Sequence, residues 1–228
     1  MIRSDLDIRN DIEAQLGIDD SIDPESIQVR VRDGKVDLTG TVTDYEAYDA
    51  ALKDARMIRG VVAIIDQLRI EYPVDMKIPN DTEIRNRILN VFEWSPAIDV
   101  ARVDAEVVDG MATLIGSVDT YWQKQRAENL AYLIAGVLKV ANELNVSLTE
   151  DVADDMVRQN LLSAFKRNLY LETGRIDVMV RNGFVTLSGT VPDWFGYRIV
   201  SDIACHAAGI RGIVNNIAMS SEVIPIGK

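Results

Sequence analysis

One Cys and one His stand side by side in this 228-residue chain, at Cys205 and His206. A thiol becomes a useful nucleophile when a base can take its proton. Adjacent positions on a helix diverge by ~100°, so these two side chains do not face each other, and Cys205 reads as a small packing residue. A single Cys and a single His also leave too few ligands for a His/Cys zinc centre. The other chemically interesting residues come in threes. Asp66, Asn142 and Asn215 sit at matching places in apolar stretches. Such a side chain caps a neighbouring backbone group or marks a bulge, and a cation site would need several more converging oxygens. Arg9, Arg85 and Arg158 also match, and read as a solvated helix face or a local ion pair. Gly40, Gly116 and Gly189 precede Thr41, Ser117 and Thr190, with a helix start close behind. A phosphate cradle there would want a basic companion in every copy, and none is present. The hydroxyls read as strand residues, and the glycines as room for the following helix to approach the sheet. No nucleophile, base and orienting group repeat together. We therefore expect no enzyme, no cofactor and no metal.

The aromatic residues form a second pattern. Tyr45, the pair Tyr121-Trp122 and the pair Trp194-Phe195 each open a helical stretch. One aromatic suffices to staple a helix entry. Trp122 and Phe195 are then surplus, and surplus rings suit an interface or a lipid headgroup layer. Charge singles out the third copy. The whole chain carries −12, from 24 basic and 36 acidic residues, which argues against nucleic-acid binding. Residues 1–72 carry −7, residues 73–150 carry −5 and residues 151–228 are neutral. An anionic lipid surface repels the first two copies within a Debye length of ~8–10 Å and tolerates the third. The candidate lipid- or partner-binding set is therefore Trp194, Phe195, Tyr197, Arg198, Lys166 and Arg167.

The elements that carry these residues follow from a threefold repeat. Asp33-Gly34-Lys35-Val36-Asp37-Leu38-Thr39-Gly40-Thr41-Val42 matches the stretches from Asp109 to Val118 and from Asn182 to Val191, at offsets of 76 and 73. Each copy opens with apolar residues four apart: Ile8, Ile12, Leu16; Ile84, Ile88, Phe92; Val157, Leu161, Phe165. That step makes one buried helix face. Alternation follows at Ile27, Val29, Val31, at Val103, Ala105, Val107 and at Ile176, Val178, Val180, the period of a half-buried strand. Asp-Gly or Asn-Gly then predicts a type I′ hairpin turn. A second strand, a helix of about four turns and a last strand complete an α-β-β-α-β unit, with Gly60, Gly136 and Gly209 as helix stops. The third strand should return parallel to the second through a right-handed crossover. The fold class is α+β, with two helices on one face of a three-stranded mixed sheet in each copy. Units this small are marginal alone, so the copies should pack on each other. The expected boundaries are 1–72, 77–148 and 151–221, joined by short linkers, with 222–228 as a tail. No run of 18 apolar residues is present for a membrane helix.

The order D/N-G-x-V-x-L-x-G-x-V, a helix, then G-V-x-x-V-x-N-x-L resembles the BON domain family (bacterial OsmY and nodulation), in the triple-BON, OsmY-like form. The last element stands as Gly60 to Leu68, Gly136 to Leu144 and Gly209 to Ile217, with Asp66 in place of the family's usual Asn. The resemblance implies a non-enzymatic, stress-related module that contacts phospholipid or another envelope surface, here mainly through the third copy. A branch that joins BON to a LysM domain implies the alternative of potassium binding, although no LysM-like segment is visible. A protein-interaction scaffold is the remaining alternative, with other proteins or further copies of the chain as partners. Without an apolar export signal at the start, the expected location is cytoplasmic, or periplasmic if the chain is a processed form.

Overall fold

The structure, a computed structural model, describes residues 3–148, 152–171 and 175–219. The tail expected at 222–228 and part of the second linker lie outside the described residues. The first unit runs α1 (Asp5–Leu16), β1 (Ile27–Arg32), β2 (Lys35–Val42), α2 (Tyr45–Met57) and β3 (Ala63–Ile70). The second runs α3 (Asp81–Glu93), β4 (Val103–Val108), β5 (Met111–Val118), α4 (Tyr121–Tyr132), β6 (Lys139–Asn142) and β7 (Asn145–Val146). The third runs α5 (Asp154–Arg167), β8 (Ile176–Arg181), β9 (Phe184–Val191), α6 (Trp194–Cys205) and β10 (Gly212–Met219). In each sheet the second strand is central, antiparallel to the first and parallel to the last. The chain is thus α+β with three tandem units of the expected order.

The periodicities place the cores. Ile8, Ile12 and Leu16, their counterparts Ile84, Ile88 and Phe92, and the trio Val157, Leu161 and Phe165 are all buried. They meet the inward residues of each hairpin, such as Val29, Val36 and Leu38 in the first unit. A fully buried Ile or Phe contributes roughly 1.5–3 kcal/mol by leaving water. The hairpins turn as the Asp-Gly and Asn-Gly pairs demand. Asp33, Asp109 and Asn182 have φ of 51°, 51° and 52°, and Gly34, Gly110 and Gly183 follow at 70°, 73° and 77°.

Gly40, Gly116 and Gly189 correct a sequence expectation. They do not make room for the following helix. A Cβ there would lie 2.0, 2.1 and 1.9 Å from the carbonyl oxygens of Ser26, Arg102 and Arg175, just before the first strand. The hairpin's own edge backbone therefore forbids a side chain, and φ values of 117–131° reinforce that. Arg9 and Arg85 form the expected ion pairs, with Glu13 and with Asp104, and beyond that expectation the Nε groups of Arg85 and Arg158 donate to the carbonyls of Ala105 and Val178, tying the first helix to the first strand.

One tether was not read from the sequence. The carboxylate of Asp5, in the first turn of α1, accepts both turn N–H groups, from Asp33 at 2.9 Å and Gly34 at 3.0 Å. Asp81 accepts from Asp109 and Gly110, and Asp154 from Asn182 and Gly183, in the same way. An Asp stands 29 residues before every turn glycine, which is the signal that could have shown it.

The units pack through their second helices, and the contact is the same at each seam. Tyr45, first residue of α2, stacks on Tyr132, last of α4, with centroids 4.6 Å apart. Tyr121, first of α4, packs against the third core, and the next ring, Trp122, lies 5.9 Å from His206 just past the end of α6. Trp194, first of α6, packs against the first core with the Arg56 guanidinium 5.0 Å above its ring, near the end of α2. The first unit thus engages the second, the second the third and the third the first. Gly136 N–H donates to the Tyr72 hydroxyl across the first seam, and Arg211 donates to the Val146 carbonyl across the second.

Asp54 is an exception to the apolar cores, buried to 6% exposure on α2. One of its oxygens accepts from Gln15 at 3.4 Å and the other has no partner among the described residues. Burial pushes its pKa up, the Gln15 bond opposes that, and the nearby Asp19 carboxylate adds to the rise.

Two expected outcomes follow. Asp81→Ala removes the acceptor of two turn N–H groups and should cost ~1–2 kcal/mol, read by denaturant unfolding; an unchanged midpoint would show that the tether contributes nothing. Asp54 binds its proton more tightly folded than unfolded, so its ionisation makes stability fall as pH rises from the usual carboxylate range through the raised folded value. Asp54→Asn should therefore melt higher than the parent at pH 7, with the gain vanishing in acid below the usual carboxylate range. A gain that persists unchanged at low pH would refute this origin.

Candidate functional site

The sequence set divides into two groups in space. Trp194 and Tyr197 do not face outward. They meet edge to face with centroids 5.0 Å apart, Trp194 on the first core and Tyr197 on the third. Trp194 is therefore a seam residue, because the helix start that it occupies is the place where the third unit closes on the first. Phe195, the next residue, points the other way and is 48% exposed. Arg198 lies one turn along α6 with its guanidinium 5.5 Å from the Phe195 ring. Lys166 and Arg167 end α5 and are exposed.

The structure adds residues to this outer group. Tyr170, in the loop after α5, meets Phe195 edge to face at 4.8 Å, and Leu169 beside it is fully exposed. The Tyr170 hydroxyl donates to Asp193, the residue that caps α6. Burial, and then this bond, push the Tyr170 hydroxyl up to about 12, while Arg59 of the first unit is near enough to oppose the rise. Arg59 follows Met57, itself 64% exposed, just past the end of α2. The site is thus built by two units: Phe195, Tyr170 and Arg198 from the third, with exposed Leu169 next to Tyr170 in the loop, and Arg59 from the first. Among the described residues, Arg56, Arg59 and Arg198 form no ion pair with a carboxylate. Tyr170 and Leu169 carry no repeated signal, and Arg59 lies far from them in sequence, so only folding brings them together.

The counterpart seam between the second and third units has different chemistry. An open cleft of about 530 Å³ there is lined by Trp122, Arg126, Asn129, Asp202, Cys205 and His206, among others. Burial pushes the Cys205 thiol up, away from the thiolate that nucleophilic chemistry needs. Trp122 therefore lies at this seam rather than as a free surface ring. Among the described residues no group of three or more His, Cys, Asp or Glu is placed to hold a metal, and no helix is long and apolar enough to cross a membrane.

The recurrent Asp66, Asn142 and Asn215 are structural. Each accepts the backbone N–H two residues on, from Leu68, Leu144 and Ile217. Each also ties the last strand to the second helix: Asp66 accepts from Tyr48, Asn142 donates to the Lys124 carbonyl and to Glu128, and Asn215 donates to Ser201. In the second unit the ladder breaks just after Asn142, between β6 and β7, as a polar side chain bonding locally permits.

The chain is 28% identical over 136 residues to osmotically-inducible protein Y of Escherichia coli (strain K12), an alignment covering 58% of this chain and 68% of that protein. Two structures of CdsD, a structural protein of the type III secretion system of Chlamydia trachomatis, align over 96% and 94% of the chain at 15% and 16% identity, each with a TM-score of 0.27. The first is its C-terminal domain, covered in full, and the second is covered over 92% of its length. The BON domain model matches residues 4–72, 80–147 and 153–220. With that pattern spanning nearly all of its length in three copies, the chain belongs to the BON domain family.

Proposed function

We propose that this chain is a non-enzymatic binding module of the osmotic-stress kind, as its relative's name implies, and that it contacts anionic phospholipid surfaces where its third unit closes on its first. The observation that carries the reading is the outer face of that seam. Phe195 and Tyr170, with Leu169 next to Tyr170 in the loop, expose apolar area, and Arg59 and Arg198 stand beside them with no carboxylate ion pair among the described residues. Lys166 and Arg167 add charge at the end of α5. Exposed rings rimmed by arginine suit the headgroup layer, where the ring enters and the guanidinium meets phosphate. Each cation near an anionic surface contributes ~1 kcal/mol, and the effect fades within a Debye length. The neutral third unit therefore faces the membrane, and the units at −7 and −5 point their remaining surface away.

Phe195→Ser in the full chain tests this. With half the ring exposed and one edge contact to Tyr170, the change should cost no more than ~1 kcal/mol of stability. It should also cut sedimentation with phosphatidylglycerol-containing vesicles several-fold. Arg59→Gln, on the other unit, should weaken binding too and flatten its dependence on salt. Wild-type protein that fails to sediment with anionic vesicles at low salt would overturn the reading. So would a loss of ~3 kcal/mol or more in Phe195→Ser, the cost of a core ring.

A further inference from the structure

The first strand of each unit, β1, β4 or β8, is an edge strand, paired on one side only. In a type I′ hairpin the two residues flanking the turn bond to each other, and alternate residues back along the strand do the same. The residues between them turn their N–H and C=O away from the sheet. Val29, Ala105 and Val178 hold the same outward position, opposite Leu38, Leu114 and Leu187. A free strand edge recruits other strands, and proteins guard such edges with charged side chains. The second unit guards both groups of Ala105. Arg85 Nε donates to its carbonyl at 2.7 Å, the Asp104 carboxylate accepts its N–H at 2.7 Å, and the two side chains pair at 2.6 Å. The third unit guards the carbonyl, with Arg158 Nε donating to Val178 at 2.9 Å. The first unit has neither guard. Arg9 turns along α1 to Glu13 at 2.8 Å, and Gln28 stands where the second unit has Asp104. Glu13 itself replaces Leu89 and Leu162, so only α1 carries a carboxylate one turn on that draws the arginine from the edge.

We propose that β1 is a docking edge, to which an extended acidic segment of another protein adds as a fourth strand of the first sheet. Charge selects the occupant. The sheet face turned away from the helices presents Gln28, Arg30 and Arg32 on β1, all exposed, with Lys35 opposite Arg32 and Asp37 opposite Arg30 on β2. Arg30, Arg32 and Lys35 form no ion pair with a carboxylate among the described residues. This positive strip lies in a unit whose net charge is −7, so an acidic partner is drawn to this edge and not to the surface at large. An added strand raises alternate side chains on one face, so Asp or Glu at every second position meets Arg30 and Arg32, while its backbone bonds the outward groups of Val29 and its neighbours. The guarded edges offer no such match: the same face carries Asp104 and Glu106 on β4, and Asp177, Met179 and Arg181 on β8. A second copy of the chain fits less well. Its β1 would bring more arginines onto the same face, where like charges oppose pairing, and its acidic β4 is closed by Arg85 and Asp104. The edge shares no residue with the outer face of the third seam and does not rest on the lipid reading.

A blocked peptide of alternating Glu and Val tests the edge on the full chain, with a peptide of the same composition in two blocks, Glu then Val, as its control. Binding is read by fluorescence polarisation, and the edge itself by amide hydrogen exchange. The alternating peptide should bind more tightly than the block peptide, and it should slow exchange at the Val29 N–H while leaving Ala105 unchanged. The informative variant is Glu13→Leu with Gln28→Asp, which installs the residues of the second unit at both positions and leaves net charge unchanged. With Arg9 and the new carboxylate closing Val29, affinity should fall about tenfold or more. Arg30→Gln with Arg32→Gln, at exposed positions, should also weaken binding and flatten its dependence on salt. The proposal is overturned if the alternating peptide does not bind at low salt, if the block peptide binds as well, or if the guarded variant binds like wild type. Should the protein without peptide sediment as a dimer with the Val29 N–H already protected, the occupant is a second copy and the acidic partner is wrong. If the guarded variant folds poorly, the arginine variant and the exchange pattern of wild type decide.

Discussion

The end-to-end contact between second helices is the constraint on which the arrangement of this protein depends. The first residue of each of these helices reaches the last turn of the next, through Tyr45 and Tyr132, Tyr121 and Cys205, and Trp194 and Arg56. These are the same two positions in each copy. A head-to-tail contact of this kind either propagates without end or closes when its rotation divides a full turn. Here three units bring the third back to the first. The contact also answers the size problem of the units. Each has a small core, and the ring at the helix start lets one core lean on another, as Tyr121 does by packing on both the second and the third.

Because the geometry of the seam repeats while its residues do not, the three seams differ in chemistry. The first is closed by two stacked tyrosines, and burial pushes the Tyr45 hydroxyl up to about 12. The second opens into a cleft beside the only His and Cys of the chain. The third sets a guanidinium on an indole and leaves rings and arginines outside. An exposed surface of rings and arginines thus arises from divergence at a repeated joint. Its charge follows the same division, since the acidic residues concentrate in the first two units.

Within a unit the joints are polar and local. The carboxylate at the start of the first helix holds the hairpin turn, and the Asp or Asn of the last strand holds the second helix. Charge-assisted bonds to backbone N–H groups are short and directional, so they set how the helices sit on the sheet more sharply than apolar packing does. The type I′ turn requires positive φ at two successive residues, and the tether secures the two N–H groups that such a turn exposes.

Much of this was legible in the residues. Alternation named the strands, the four-residue step named the buried helix faces, and Asp-Gly or Asn-Gly named the turns, because each is a local rule that backbone geometry enforces. The repeat predicted that units would pack, since a core of this size is marginal. The sequence also marked Phe195, Arg198, Lys166 and Arg167 as unusual, by surplus and by charge. It could not tell that Trp194 leans on the first core and Tyr197 on the third, since an aromatic at a helix start looks the same whether it meets solvent or a neighbour. It missed the Asp5, Asp81 and Asp154 tethers, because a carboxylate in a first helical turn is already explained by the helix dipole. It read Gly40 and its counterparts as space for a helix, when the obstruction is the strand's own preceding carbonyl. Local periodicity depends on neighbours a few residues away and is written along the chain. Which rings are covered, which arginines lack carboxylate partners and which residues of the first unit complete a surface of the third depend on contacts more than 100 residues apart, from Arg56 to Trp194. Only the closing of the third unit on the first decides them.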